Sequence, residues 1–132
     1  MIGLDTNILV RFLVQDDPAQ AAAARSLMTR CSAQAPGFVG REVLVETVWV
    51  LERAYRLTPA AISAAILGLL EAEELVIEQA IDATAAAVAY GQGAGDFADH
   101  MIATAATRAG CETLYTFDRR AARHNAVTLL VK

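Results

Sequence analysis

Four carboxylates stand where an apolar stretch of chain would not ordinarily keep a charge. Asp5 follows Ile2-Gly3-Leu4, and Glu46 lies inside Val43-Leu44-Val45-Glu46-Thr47-Val48-Trp49-Val50-Leu51. Asp99 comes just before Met101-Ile102-Ala103, and Asp118 closes Leu114-Tyr115-Thr116-Phe117. An isolated buried carboxylate is costly and tends to neutralise. Several that converge also repel one another. A hard divalent cation, Mg2+ or Mn2+, relieves both problems because it takes oxygen ligands. It also polarises phosphoryl oxygens and makes hydroxide available near neutral pH. The chemistry these four acids point to is metal-assisted hydrolysis at phosphorus.

Each acid has a plainer role open to it. Asp5 could cap the helix that follows, Glu46 could be a solvated residue of an apolar helix, and Asp118 could belong to a turn. All of these would have to hold together for the shared site to dissolve. Asp96 lies three residues before Asp99, one turn of the same helix. It directly follows Gly95, so it suits an N-cap with Asp99 in the return position of a capping box, and it is equally placed to join a metal site. Glu42, four residues before Glu46, reads as a solvated helix start or an outer acid.

The elements that must position these acids alternate. A strand over residues 1–4 runs into a helix-prone segment. Asp17 and Pro18 start a helix that should reach residue 33. Pro36 and Gly37 break the chain before a brief strand at 38–39. A strong helix is expected over 41–56, and another begins at Pro59. A strand at 75–78 precedes an alanine-rich helix reaching Tyr90. Gly91-Gln92-Gly93-Ala94-Gly95 reads as a loop. The next helix, 96–109, should stop at Gly110. Strands at 113–117 and 127–131 complete the chain. This alternation predicts an α/β fold, a three-layer α/β/α sandwich with a central, mainly parallel sheet, as one domain over residues 1–132. Ligands in such sheets bind beyond the carboxyl ends of strands, where Asp5 and Asp118 fall.

Composition narrows the function. Hydrophobic residues make up 55% of the 132, enough for a sizeable core, and the net charge is −4. That sign does not hold a polyanion by charge alone, so a bound cation would have to neutralise it locally. The single lysine, Lys132, is terminal. This excludes a Walker A motif and the site lysine of a phospho-accepting receiver domain. Asp5 is followed by Thr6 and Asn7 rather than by a second Asp two residues on, unlike a haloacid-dehalogenase-type phosphatase. Cys31 and Cys111 have no metal-type spacing and read as small buried or half-buried thiols. The opening segment, with Asp5 and Arg11 in its apolar run, does not resemble a secretory signal, and no run is long enough to cross a membrane. A cytoplasmic location is expected.

Together the four acidic segments resemble PIN domains. Ile2-Gly3-Leu4-Asp5-Thr6-Asn7 is similar to their opening strand, and the segment around Glu46 to the helix with their second acid. Gly95-Asp96-Phe97-Ala98-Asp99-His100-Met101-Ile102-Ala103 resembles the segment with the third acid, and Thr116-Phe117-Asp118 the closing Thr-x-Asp. The nearest subgroup is the VapC-like toxins. The resemblance implies a Mg2+- or Mn2+-dependent endoribonuclease acting on RNA, usually a homodimer, inhibited by a cognate antitoxin protein; no membrane partner is expected, since no apolar run approaches a span. It implies Asp5, Glu46, Asp99 and Asp118 as the acidic quartet, with Thr6, Asn7 and Thr116 as orienting neighbours. His100 departs from the small residue common in the family. Arginines would supply most other RNA contacts: Arg119, Arg120 and Arg123, beside His124, form the basic cluster, and Arg11 is a second candidate. A PIN nuclease of RNA processing outside a toxin system and a catalytically weak binding module are the alternatives.

Overall fold

The computed structural model describes residues 1–131; Lys132 lies outside the described residues. Strand β1 (Ile2–Gly3) leads through α1 (Thr6–Leu13) and α2 (Pro18–Thr29) to β2 (Gly37–Val39). Helices α3 (Arg41–Arg53) and α4 (Pro59–Glu71) then lead to β3 (Leu75–Ile77). After α5 (Ala80–Gly91) and α6 (Phe97–Arg108) come β4 (Leu114–Thr116), a short 3-10 turn at Ala121–Arg123, and β5 (Val127–Leu129).

Every strand pairing is parallel. β2 lies between β1 and β3, with Gly3 opposite Phe38 and Val39 opposite Ile77. β4 pairs with β5, placing Thr116 opposite Leu129. The α/β architecture follows the sequence, with one difference: the strands form two hydrogen-bonded ladders rather than one continuous sheet. β1 and β4, whose carboxyl ends lead to Asp5 and Asp118, are edge strands. Each is only two or three residues long, and Ile2 and Tyr115 face solvent, so their unpaired backbone groups can be hydrated.

Local chemistry sets the helix ends. The Asp17 carboxylate accepts from Gln20 N at 3.0 Å ahead of Pro18, and the Thr58 hydroxyl accepts from Ala61 N ahead of Pro59. Helix α6 stops where Gly110 takes φ +90°. Helices α2 and α3 end sooner than their sequence suggests, at Thr29 and Arg53. Arg56, expected inside α3, instead has φ +53°, a conformation no helix accommodates.

Helices α3 to α6 share a core built from Leu44, Val48, Leu51, Ile62, Ile66, Ala87, Phe97 and Met101. Helices α4 and α5 approach closely enough for Ser63 Oγ to donate to Ala87 O at 2.7 Å. Gly91 is required there, since a Cβ would sit 2.6 Å from the Ser63 side chain. Cys31 is buried, but Cys111 is exposed, because it lies beyond the end of α6 rather than under it.

An ion cluster around one buried carboxylate braces the helices. Asp82 of α5 is 8% exposed and takes two hydrogen bonds from Arg108 of α6, at 2.6 and 3.1 Å. Arg41 of α3 lies 3.7 Å from the same carboxylate and donates to Met101 O of α6 at 2.8 Å. Helices α3 and α6, which carry Glu46 and Asp99, are thereby held side by side.

Candidate active site

The sequence suggests four carboxylates in buried surroundings. The structure corrects this: Asp5, Glu46 and Asp118 are exposed, and Asp99 is half-buried. The reason is geometric. On α3 the residues Glu42, Glu46, Trp49 and Arg53 recur at helical spacing along one exposed stripe, while Leu44, Thr47, Val48 and Leu51 face the core.

The acids form two groups. In the first, Asp5 ends the β1 segment and serves as N-cap of α1, its Oδ1 accepting from Thr6 N at 2.8 Å. The neighbouring Thr6 hydroxyl is buried and donates to Glu46 Oε1 of α3. One carboxylate oxygen of Asp5 has no hydrogen bond among the described residues, so capping does not exhaust the group. The Thr6 hydroxyl therefore holds one oxygen of Glu46. The Asn7 side chain makes no hydrogen bond among the described residues.

In the second group, Asp96 occupies the N-cap position of α6 but makes no capping hydrogen bond, so the expected capping box with Asp99 does not form. Gly95, with φ +101°, delivers Asp96 in a conformation that directs the chain into the helix. Asp99 has neither hydrogen bond nor ion pair among the described residues. Burial pushes its carboxyl up from the ordinary range, and the charges of Asp96 and then Asp118 push it further. His100 and Arg120 pull in the opposite direction. Asp118 sits in a turn in which Oδ1 accepts from Arg120 N at 2.8 Å, while its own N donates to Thr116 Oγ1 at 3.0 Å. Thr116 thus fixes the turn that presents Asp118.

A groove between α3 and α6 is lined by Glu46, Trp49, Ala98 and Met101; of the acids in the two groups, Glu46 alone of the described residues lines it. No hydrogen bond or ion pair joins the two groups among the described residues. The donor set is all carboxylate and faces water, which is the chemistry a hard cation takes. The set is also open: among the described residues, no three acidic, histidine or cysteine side chains converge closely enough to hold a metal ion.

The arginines divide by environment. Arg11 is engaged by Gln20, Asp16 and the Tyr55 hydroxyl at 2.6 to 3.0 Å. Arg119 lies beside an apolar surface formed by Phe117, Leu130 and Val131. Arg120 reaches to within 3.8 Å of Asp96. Arg123 has no hydrogen bond or ion pair among the described residues.

Two further acids carry no role legible in the sequence, Glu52 beside this region and Asp82 in the helix brace. Glu52 accepts from the Tyr90 hydroxyl at 2.6 Å, and both line a hollow with Asp96 and Arg120. Burial and the Glu52 charge push the Tyr90 phenol well above its ordinary range, so it remains a donor at neutral pH. Glu52 lies in register with Val45, Val48 and Trp49 on the helix; its partner, 38 residues away, carries no local signal. Asp82, a lone acid in an alanine-rich helix, is likewise explained only by distant arginines.

Among the described residues no helix is long and apolar enough to cross a membrane. A sequence comparison with curated proteins finds no match. The family model described as PIN domain matches residues 2–127. PIN domains have a nuclease-type fold and generally use divalent metal ions, and this chain belongs to the PIN-domain family.

Proposed function

We propose that the chain is a Mg2+- or Mn2+-dependent endoribonuclease and the toxin of a toxin–antitoxin pair, with one PIN unit over residues 1–132. The observation that carries the nuclease reading is Asp99: a half-buried carboxylate without a partner among the described residues, in the field of Asp96 and Asp118. Asp5, Glu46, Asp99 and Asp118, with Asp96, would hold the cation, which when bound supplies charge neutralisation and an activated water. Thr6 holds Glu46 in place, and Thr116 holds the Asp118 turn. Arg120 and Arg123 supply positive charge for the RNA backbone.

The toxin assignment rests on the resemblance to VapC-like members, as do a homodimer and a cytoplasmic location. An antitoxin segment suits the α3–α6 groove, of about 440 Å3, where Val45, Trp49, Met101 and Ile102 are apolar and Glu42 and Glu46 can accept an arginine.

The open arrangement of the acids favours one second reading, a PIN module that binds RNA without cutting it. Cleavage of single-stranded RNA decides between them. We expect cutting with Mg2+ or Mn2+, none in EDTA, and a loss of orders of magnitude in Asp5→Asn, which keeps a cap-type acceptor but removes the charge. Equal cutting in EDTA would sink the metal reading, and no cutting under either ion would favour the binding module.

A further inference from the structure

A cavity of about 310 Å3 lies beside the second acid group, between the loop at residues 93–95 and the connection from β4 to β5. Its lining includes Gly95, His100, Arg120, Arg123, His124 and Asn125. In a chain of net charge −4 this concentrates two of eleven basic residues and both histidines at one place. The two imidazoles stand 5.4 Å apart, edge to face.

Their hydrogen bonds fix which nitrogens are available. His124 Nδ1 accepts from Ala126 N at 3.1 Å, so in the neutral ring Nε2 carries the proton, and it has no partner among the described residues. His100 Nε2 lies 2.7 Å from Ala94 O, a carbonyl that can only accept, so this nitrogen is the donor and Nδ1, unengaged among the described residues, is the acceptor of the neutral ring. Arg123 is exposed and unpaired among the described residues. Arg120 lines both this cavity and the hollow with Glu52 and Asp96, so it stands between the basic cavity and the acids. The available donors are the guanidiniums of Arg120 and Arg123 and Nε2 of His124, and no carboxylate of the described residues lines the space. That is the complement of a phosphate.

We propose that this cavity is a phosphate subsite, which holds the phosphodiester next to the one that is cut. The assignment rests on the ribonuclease reading for its substrate. It also answers the charge problem: an acidic protein keeps hold of RNA at one built cationic pocket, beside acids that would otherwise repel it. Arg123 and His124 are positioning residues that register the strand, while the acids act on the neighbouring phosphate.

The test uses a 2′-O-methyl single-stranded oligonucleotide, which resists cutting, and measures binding across a salt series without divalent metal. Arg123→Gln should weaken binding roughly fivefold and flatten the salt dependence by about 0.7 in the log–log slope, the loss of one phosphate contact on a single strand. His124→Asn, which keeps an acceptor for Ala126 N, should weaken it less. Arg25→Gln removes the same charge from α2, where Arg25 is bonded to Gln15, and should leave both quantities unchanged. Equal losses in Arg25→Gln and Arg123→Gln, or no loss in Arg123→Gln, would overturn the subsite. Displacement of the oligonucleotide by equimolar inorganic phosphate would also overturn it, in favour of a free-anion site. If the variants behave as expected while the wild type cuts nothing under any divalent ion, the cavity stands as a site for an RNA phosphate, and the catalytic reading falls together with the place of that phosphate beside a cut bond.

Discussion

Asp82 and Asp99 are carboxylates on adjoining helices, α5 and α6, and their surroundings are opposite. Asp82 is buried and has Arg108 on both of its oxygens, with Arg41 alongside. Asp99 is less buried, yet its acidic neighbours are Asp96 and Asp118, and it has no hydrogen bond among the described residues. A fold that only needed to tolerate a charge at Asp99 had the solution it uses at Asp82. The difference separates a carboxylate that holds helices together from one left available for a ligand of opposite charge.

The largest effect that sharpens this contrast is expected from Asp99→Asn. RNA cleavage should fall by on the order of a hundredfold or more, as for loss of a group acting in the chemical step. Stability should not fall with it. A carboxyl whose folded pKa lies above its unfolded value binds its proton more tightly when folded, so its contribution favours the folded state at low pH. That contribution is lost as pH rises from the unfolded value through the raised folded one. At neutral pH the wild type therefore has an unrelieved charge that the asparagine variant lacks. Melting curves should show Asp99→Asn equal to or above wild type without metal, and wild type gaining more from added Mn2+. A variant that melts lower and gains as much from Mn2+ would place Asp99 with Asp82 as a structural acid.

The reverse pattern is expected from Asp82→Asn. It leaves Arg41 and Arg108 without their counter-charge and loosens the brace between α3, α5 and α6. The melting temperature should drop by on the order of 10 °C. Added Mn2+ should raise the melting temperature of this variant as much as that of wild type. Loss of the Mn2+ response with an unchanged melting temperature would reverse the assignment.

The contrast was half visible in the sequence. The acids of the candidate site stand out in the sequence because each interrupts an apolar segment or ends a strand, and Pro18, Pro59 and Gly110 mark helix boundaries that the structure keeps. Their burial was misread from sequence neighbours. Val45 and Thr47 flank Glu46 along the chain, but the helical stripe Glu42, Glu46, Trp49 and Arg53 decides its exposure. Asp82 gave no signal, since its partner Arg108 lies 26 residues away and no periodic pattern links them. The basic run after Asp118 was legible as charge. Its pairing with His100 and the 93–95 loop into a cavity was not, because that depends on segments joined only by folding.

The smallest effect tests whether the field at Asp99 is local. Arg120 is exposed, stands 3.8 Å from Asp96, and is the weaker of the two positive influences on Asp99. An exposed pair of this length adds little stability, so Arg120→Gln should change unfolding free energy by less than about 0.5 kcal/mol. Its effect on Asp99 has a definite sign. Removing the positive charge leaves Asp96 and Asp118 less opposed, so the Asp99 carboxyl should move further up. A carboxyl-carbon NMR titration reads this directly, without relying on activity. An upward movement with near-constant stability would show that the acids and Arg120 form one electrostatic unit. A downward movement, or none, would mean that Arg120 does not act on Asp99 and stands outside the field of the acids.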